Sequence, residues 1–306
     1  MTRQPSSIPS WLSLAFLGTA GALAAGCVNI SAGGGRYVES EEKRFSVEGK
    51  PDVTLRTQDG SIEIRSWDRP DVLVVVEKHS FSRDAAAAIT VTSRQEANHI
   101  SVDVRMTAEQ VFGWVAGGFG SAKLIVSLPA ASDVQAATGD GSIQLENVRG
   151  VISLRSGDGS IHARDVSGSI AARSGDGSIS LEEVTGTIDA TTGDGSIAVA
   201  GVLSSVRARS GDGGIGVLAQ PGSKAEADWD ISTGDGGIKL EVPDSFGAEL
   251  EARTGDGGIK FDGITLSNVT GNIGRNRASG QLGEGGRTLR VRSGDGTIVI
   301  RRLSAQ

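Results

Sequence analysis

The sequence predicts an all-β fold, a parallel β-solenoid (β-helix) of coils about 18 residues long. Three observations predict it. The motif Ser/Thr-Gly-Asp-Gly-Ser/Gly/Thr-Ile recurs, with its aspartates at Asp140, Asp158, Asp176, Asp194, Asp212, Asp235, Asp256 and Asp295, and a variant copy runs from Thr57 to Ile62 around Asp59. The four spacings from Asp140 to Asp212 are each 18 residues, and those that follow are 23, 21 and 39. Composition agrees: 45 of the 306 residues are glycine and only 12 are Phe, Trp or Tyr, which suits tight turns around a narrow aliphatic core.

The repeat unit has its own grammar. Ile143, Ile161, Ile179, Ile197 and Ile215 form one column, and Leu145, Ala163, Leu181, Val199 and Val217 the next. Val148, Val166, Val184 and Val202 follow, then Ile152, Ile170, Ile188 and Val206, then Leu154, Ala172, Ala190 and Ala208. Within each half-unit the apolar residues alternate with period two, the signal of a strand. Gly150, Gly168 and Gly186 punctuate the middle, so each unit reads strand, bend, strand, turn. Asp-Gly also signals hairpins, and an antiparallel meander is the alternative. A meander pairs unlike half-units. The columns repeat every 18 residues and not every 9, which favours whole coils stacked at ~4.8 Å.

The chain begins with an address. Residues 1–26 read as a lipoprotein signal peptide: Arg3 is a short positive region, and Trp11 to Ala25 is an apolar stretch too short for a stable membrane span. The segment Leu23-Ala24-Ala25-Gly26-Cys27 resembles a lipobox, with Ala24 where leucine is usual. The resemblance implies cleavage before Cys27 and acylation of it; several acyl chains anchor stably. Cys27 is the one cysteine of the chain and falls at this junction. Ala22-Leu23-Ala24 is also an ordinary secretory cleavage site, the alternative. In an organism with two membranes, Val28 rather than Asp after the cysteine resembles sorting to the outer one. Residues 27–36 look like a flexible tether.

Residues 37–130 are expected to form a β region that caps one end of the solenoid, because open strand edges invite aggregation. Strand-like runs cover Arg44–Val47, Val53–Thr57, Ser61–Arg65 and Val72–Glu77, and Val72–Val76 reads as buried on both faces. Residues 83–88 are a short helix or loop, and strands resume at 88–92, 99–104 and 123–128. Residues 131–303 are the Gly-Asp-Gly repeat solenoid, interrupted at 264–292 and closed by the last copy, Ser293–Ile300.

Three stretches carry a family resemblance: Asp59–Asp68 with its Trp67-Asp68, the tandem Gly-Asp-Gly ladder, and Gly280–Gly286 followed by Leu289–Gly296. In these the chain resembles the bacterial putative-adhesin family with β-strand repeats, domain-of-unknown-function family 4097, over roughly residues 40–303. The resemblance implies a solenoid-like fold and an envelope location, and brings no catalytic residues.

The Asp column is the sharpest chemical feature. Stacking places Asp140, Asp158, Asp176, Asp194 and Asp212 ~4.8 Å apart, where like charges repel by roughly 1 kcal/mol per pair in a water-like dielectric. Ca²⁺ is one way to offset that, though each coil offers one carboxylate where Ca²⁺ takes 6–8 oxygens. The structural reading is that Asp bonds its own turn, that glycine permits positive φ, and that Arg155, Arg173, Arg209, Arg253 and Arg292, each three residues before a turn Asp, neutralise the column. Thr191 interrupts the arginines beside Asp194, the coil best placed for a cation. Thr138, Ser156, Ser174, Thr192 and Ser210 share the inward parity and suit a hydrogen-bonded corner ladder.

No confident metal site and no catalytic constellation appear. His79, His99 and His162 are scattered, no Ser-His-Asp or His-based metal spacing occurs, and Trp67, Trp114 and Trp229 are isolated in sequence. A net charge of −7 with few aromatics argues against nucleic acid. The apolar segment 111–120, with Phe112, Trp114 and Phe119, suits a contact loop for membrane or partner, or a flap over the solenoid end. The expectation is a non-enzymatic, envelope-anchored binding or scaffold module of adhesin type. It has no small-molecule substrate, meets the membrane through its lipid and works with an envelope or surface partner, placed at the outer membrane on the periplasmic side or the cell surface. The alternatives are a Ca²⁺-stabilised structural repeat protein, an envelope-stress sensor working through a partner, and a carbohydrate-active enzyme with paired carboxylates.

Overall fold

A computed structural model describes residues 28–33, 36–106, 120–269 and 274–303, with side chains from Tyr37 onward. The signal peptide, Cys27 and the segment holding Phe112, Trp114 and Phe119 lie outside the described residues.

The strands stack in parallel coils. In the first ladder Ile143 lies against Ile161, Ile161 against Ile179, Ile179 against Ile197 and Ile197 against Ile215. The facing ladder sets Ala136 against Leu154, then Ala172, Ala190, Ala208 and Ile231. The strands Ile179–Thr192 and Ile197–Ser210 run round the bend and join the two ladders. Both columns are buried, and each large aliphatic side chain contributes ~1.5–3 kcal/mol of transfer free energy. Stacking like on like keeps core width constant, so a repeated sequence fills it without a new packing solution at each coil.

The bend is left-handed. Asn147 (φ 58°), Asp165 (φ 49°) and Glu183 (φ 55°) occupy equivalent positions there. The coil beginning at Ile197 departs from the column: Val184 pairs with Gly201 and not Val202, and the register resets between Gly186 and Thr187. Leu203 is therefore buried, while Val202, expected inside, is partly exposed.

The order of coils in space is not their order in sequence at either end. Asp52–Thr57 lies between His99–Met106 and Asp133–Thr138, and Ile62–Trp67 lies between Ser121–Pro129 and Ile143–Glu146. At the other end Thr288–Ser293 sits between Trp229–Thr233 and Ala248–Thr254, and Ile298–Arg302 between Ile238–Val242 and Ile259–Asp262. The last motif copy therefore intercalates rather than closing the stack, and the Asp256 coil is outermost. The reason is hydrogen bonding: an inserted strand satisfies both of its edges, where a terminal strand leaves one open.

Antiparallel pairs finish the ends. Asp71–Ser80 pairs with Ser121–Pro129 and with Arg36–Ser46, Ile89–Glu96 with His99–Met106, and Arg277–Leu282 with Ala248–Thr254. Val28–Gly33 pairs with Arg36–Ser46, which corrects the tether reading for those residues: they cover an edge that is otherwise open. Val72, Val74 and Val76 point inward while Leu73 and Val75 are only half-buried, so this strand packs one face, not two. Arg83–Ala87 is a short helix capped by Ser82, whose side chain accepts from the Ala85 N–H.

Candidate functional site

The corner carrying the Asp column is built from glycine and hydroxyl. Gly157 N–H donates to Gly139 O at 2.7 Å, Gly175 to Gly157 at 2.6 Å, Gly193 to Gly175 at 2.6 Å and Gly211 to Gly193 at 2.6 Å. Inside the corner, Ser156 Oγ accepts from its own Gly159 N–H at 3.0 Å and donates to Gly141 O of the coil before at 2.8 Å. Thr138, Ser174, Thr192, Ser210, Thr233, Ser293 and Thr254 each donate to a turn carbonyl of the preceding coil in the same way. This is the hydroxyl ladder expected from the sequence, and it runs from the Thr138 coil to the Thr254 coil; Thr57 bonds Asp59 O of its own turn instead.

The turn glycines serve close approach rather than unusual torsion. Of those in the motif copies, Gly60 alone has positive φ (137°). A Cβ on Gly159 would lie 2.0 Å from Gly141 O, and one on Gly177 2.3 Å from Gly159 O. The positive-φ role expected of these glycines belongs instead to the opposite bend.

Stacked turns set Asp140, Asp158, Asp176, Asp194 and Asp212 in one exposed row. Asp235, Asp295 and Asp256 continue it in that spatial order, and Asp59 begins it. Burial, and then the hydrogen bond and charge of Asp140, push the Asp59 carboxyl above the usual range. The arginines do not neutralise the row. Arg173 pairs with Asp189 at 3.1 Å and Arg209 with Asp230 at 2.6 Å, both acids on strand faces. A strand side chain points away from the sheet and reaches its diagonal neighbour more readily than a turn. Nor does Asp bond its own turn N–H; the Ser/Thr hydroxyl takes that place. Among the described residues no group of three or more His, Cys, Asp or Glu is close enough to hold a metal ion.

The sequence reading missed a shallow groove of about 350 Å³ on the outer face of the first ladder. Ala198, Ala200, Gly216 and Leu218 floor it, between Glu182 and Glu241. Glu241 is buried and bonded to Lys239 (2.9 Å) and Arg301 (2.7 Å). Burial opposes its ionisation, but the two cations outweigh burial and hold the carboxyl below the usual range. Its partner Arg301 comes from the intercalated strand, so sequence spacing carried no sign of it. Trp229 is buried against Phe246, ring centroids 5.0 Å apart, and Trp67 lies beneath Arg69 and Arg44, so neither presents a bare platform. His99 faces Asp52 at 3.1 Å and His79 faces Glu77 at 3.5 Å; the structure gathers neither into a site with His162. No described helix is long and apolar enough to cross a membrane.

Comparison with known proteins adds a family. The family model Toastrack DUF4097 matches residues 52–301. Three solved structures match the chain at low identity and low superposition score. A putative adhesin from Bacteroides fragilis is 14% identical, with 86% of this chain and 97% of that one covered and a TM-score of 0.39. A putative lipid binding protein from Parabacteroides distasonis is 11% identical, with 87% and 97% covered and a TM-score of 0.40. A putative cell adhesion protein from Clostridium sporogenes is 13% identical, with 86% and 100% covered and a TM-score of 0.29. No curated protein matches the chain.

Proposed function

The chain belongs to the Toastrack DUF4097 family, and from that premise we propose that it is a non-enzymatic binding scaffold of the cell envelope, adhesive in role and tethered by lipid on Cys27. One observation carries the reading: the exposed turn carboxylates Asp140, Asp158, Asp176, Asp194 and Asp212 recur in one row over successive coils of a continuous parallel stack. Such a row repeats one set of contacts at a fixed interval, which suits multivalent attachment, and gives no carboxylate along it the distinct surroundings that a catalytic group needs. The lipobox-like segment ending at Cys27 supports export, cleavage and acylation, with the outer membrane as destination.

The test compares the intact protein with Cys27→Ser in the producing cells. Metabolic labelling with an alkyne fatty acid marks the intact protein and not the variant. Deleting the gene reduces cell attachment to surfaces, and the intact chain restores it where Cys27→Ser does not. Absence of label, or equal attachment of all strains, overturns the reading.

The crowding of Asp59 and Asp140 favours a second reading, stabilisation by Ca²⁺ along the acidic row. It requires a chelator to lower the melting temperature; an unchanged value removes it.

A further inference from the structure

Intercalation of the last coil creates a cluster that the repeat does not contain. Arg253 lies directly opposite Arg292 in the parallel ladder and directly opposite Arg277 in the antiparallel one. Their neighbours Ala252, Val291 and Ala278 are buried, so the three arginines point outward, and all three are exposed. With strands ~4.8 Å apart, three guanidinium groups stand in a row across three adjacent strands. None has an ion-pair or hydrogen-bond partner among the described residues, whereas Arg173 and Arg209 of the same outward column are paired with Asp189 and Asp230. Two residues back, Arg290 is held by Glu251 at 3.5 Å and Asp228 at 3.7 Å, which leaves those acids engaged. The turn carboxylates Asp295 and Asp256, three residues onward, approach none of the three within 4.0 Å. Arg275 is exposed on the same end coil, its carbonyl accepting from Ile259 N–H at 2.8 Å.

Like charges directly opposite across a ladder destabilise a sheet, so this row does not serve the fold. We propose that Arg253, Arg277 and Arg292 form a binding site for phosphate groups, as free phosphate or as a lipid headgroup. The guanidinium fork presents paired N–H donors that match two phosphate oxygens, and two neighbouring arginines clasp one phosphate from either side. The third extends the row by one strand spacing, enough for a second linked phosphate. The site is independent of the anchored-scaffold reading.

The probes are inorganic pyrophosphate and lipid vesicles, applied to the full mature chain. Pyrophosphate shifts the side-chain Nε–H signals of these arginines, with binding that weakens as salt rises. The combined variant Arg253→Gln, Arg277→Gln, Arg292→Gln binds at least tenfold more weakly, while Arg155→Gln, an unpaired arginine of the same column, binds as the parent does. The melting temperature of the combined variant is equal to or above the parent's, because repulsion is relieved; should it not fold, Arg253→Gln alone removes the central group. Sedimentation with phosphatidylglycerol vesicles but not phosphatidylcholine vesicles, competed by pyrophosphate, assigns the site to headgroups. Pyrophosphate binding without vesicle binding assigns it to free phosphates. Binding by neither probe, or equal binding by parent and variant, overturns the proposal.

Discussion

Ser174 Oγ donates to Gly159 O at 2.9 Å and so fastens one coil to the coil before it. The same oxygen accepts from Gly177 N–H at 3.1 Å, and Ser174 is buried. Ser174→Ala strands a buried N–H and a partly buried carbonyl together. The expected loss is about 1–3 kcal/mol, read by urea denaturation. Ser174→Thr is expected to be near neutral, since Thr138, Thr192, Thr233 and Thr254 hold the equivalent place.

Two glycines separate close approach from mere composition. A Cβ on Gly159 meets a carbonyl at 2.0 Å, while one on Gly216 meets nothing within 4 Å. Gly159→Ala is expected to cost ~3 kcal/mol by forcing the coils apart. Gly216→Ala is expected to be neutral or slightly stabilising. Paired denaturation curves check both.

Glu183 occupies a left-handed bend at φ 55°, where Asn147 and Asp165 are better suited side chains. Glu183→Gly is expected to stabilise by roughly 1 kcal/mol through relief of the Cβ clash. An unchanged or lowered denaturation midpoint contradicts this account of the bend.

Two carboxylates give opposite pH dependence. Glu241 is buried yet titrates below the usual range because Arg301 and Lys239 outweigh burial. A depressed folded-state pKa contributes stability above the unfolded pKa, lost as pH falls through the folded value. Glu241→Gln therefore lowers the melting temperature at neutral pH, and the gap narrows in acid. Asp59 is raised, by burial and by Asp140, so its ionisation opposes folding above the folded pKa. Asp59→Asn raises the melting temperature at neutral pH, and that gain fades as pH falls through the raised folded pKa toward the unfolded one.

The terminal coil is interior, which predicts its exchange behaviour. Ile298 N–H donates to Gly258 O at 2.9 Å within a strand flanked on both sides. Its amide is expected to exchange as slowly as that of Ile161 in the middle of the stack. A solenoid with its last repeat at the end would instead fray there, and fast exchange at Ile298 would contradict the intercalated order.

Much of the molecule was legible because a repeat states its neighbour. Once Ile143 recurs at Ile161 and Ile179, stacking whole coils is the arrangement that buries every copy on its like, and the hydroxyl ladder follows from the parity of Ser156 and Ser174. The Asp row was legible for the same reason, as a row. The partners of the arginines were not, because Arg173 reaches Asp189 diagonally across strands, a relation that depends on side-chain reach rather than on spacing.

Residue spacing alone was enough for the parallel stacking, the inward aliphatic columns and the corner chemistry, since these are local interactions copied at a constant interval. The order of the coils at the two ends emerges with the folded chain. That order is set by which strand edges remain to be hydrogen-bonded after the repeats have stacked, a property of the assembled sheet that no residue carries alone. It placed Arg292 beside Arg253, and Arg301 beside Glu241, across 39 and 60 positions of chain.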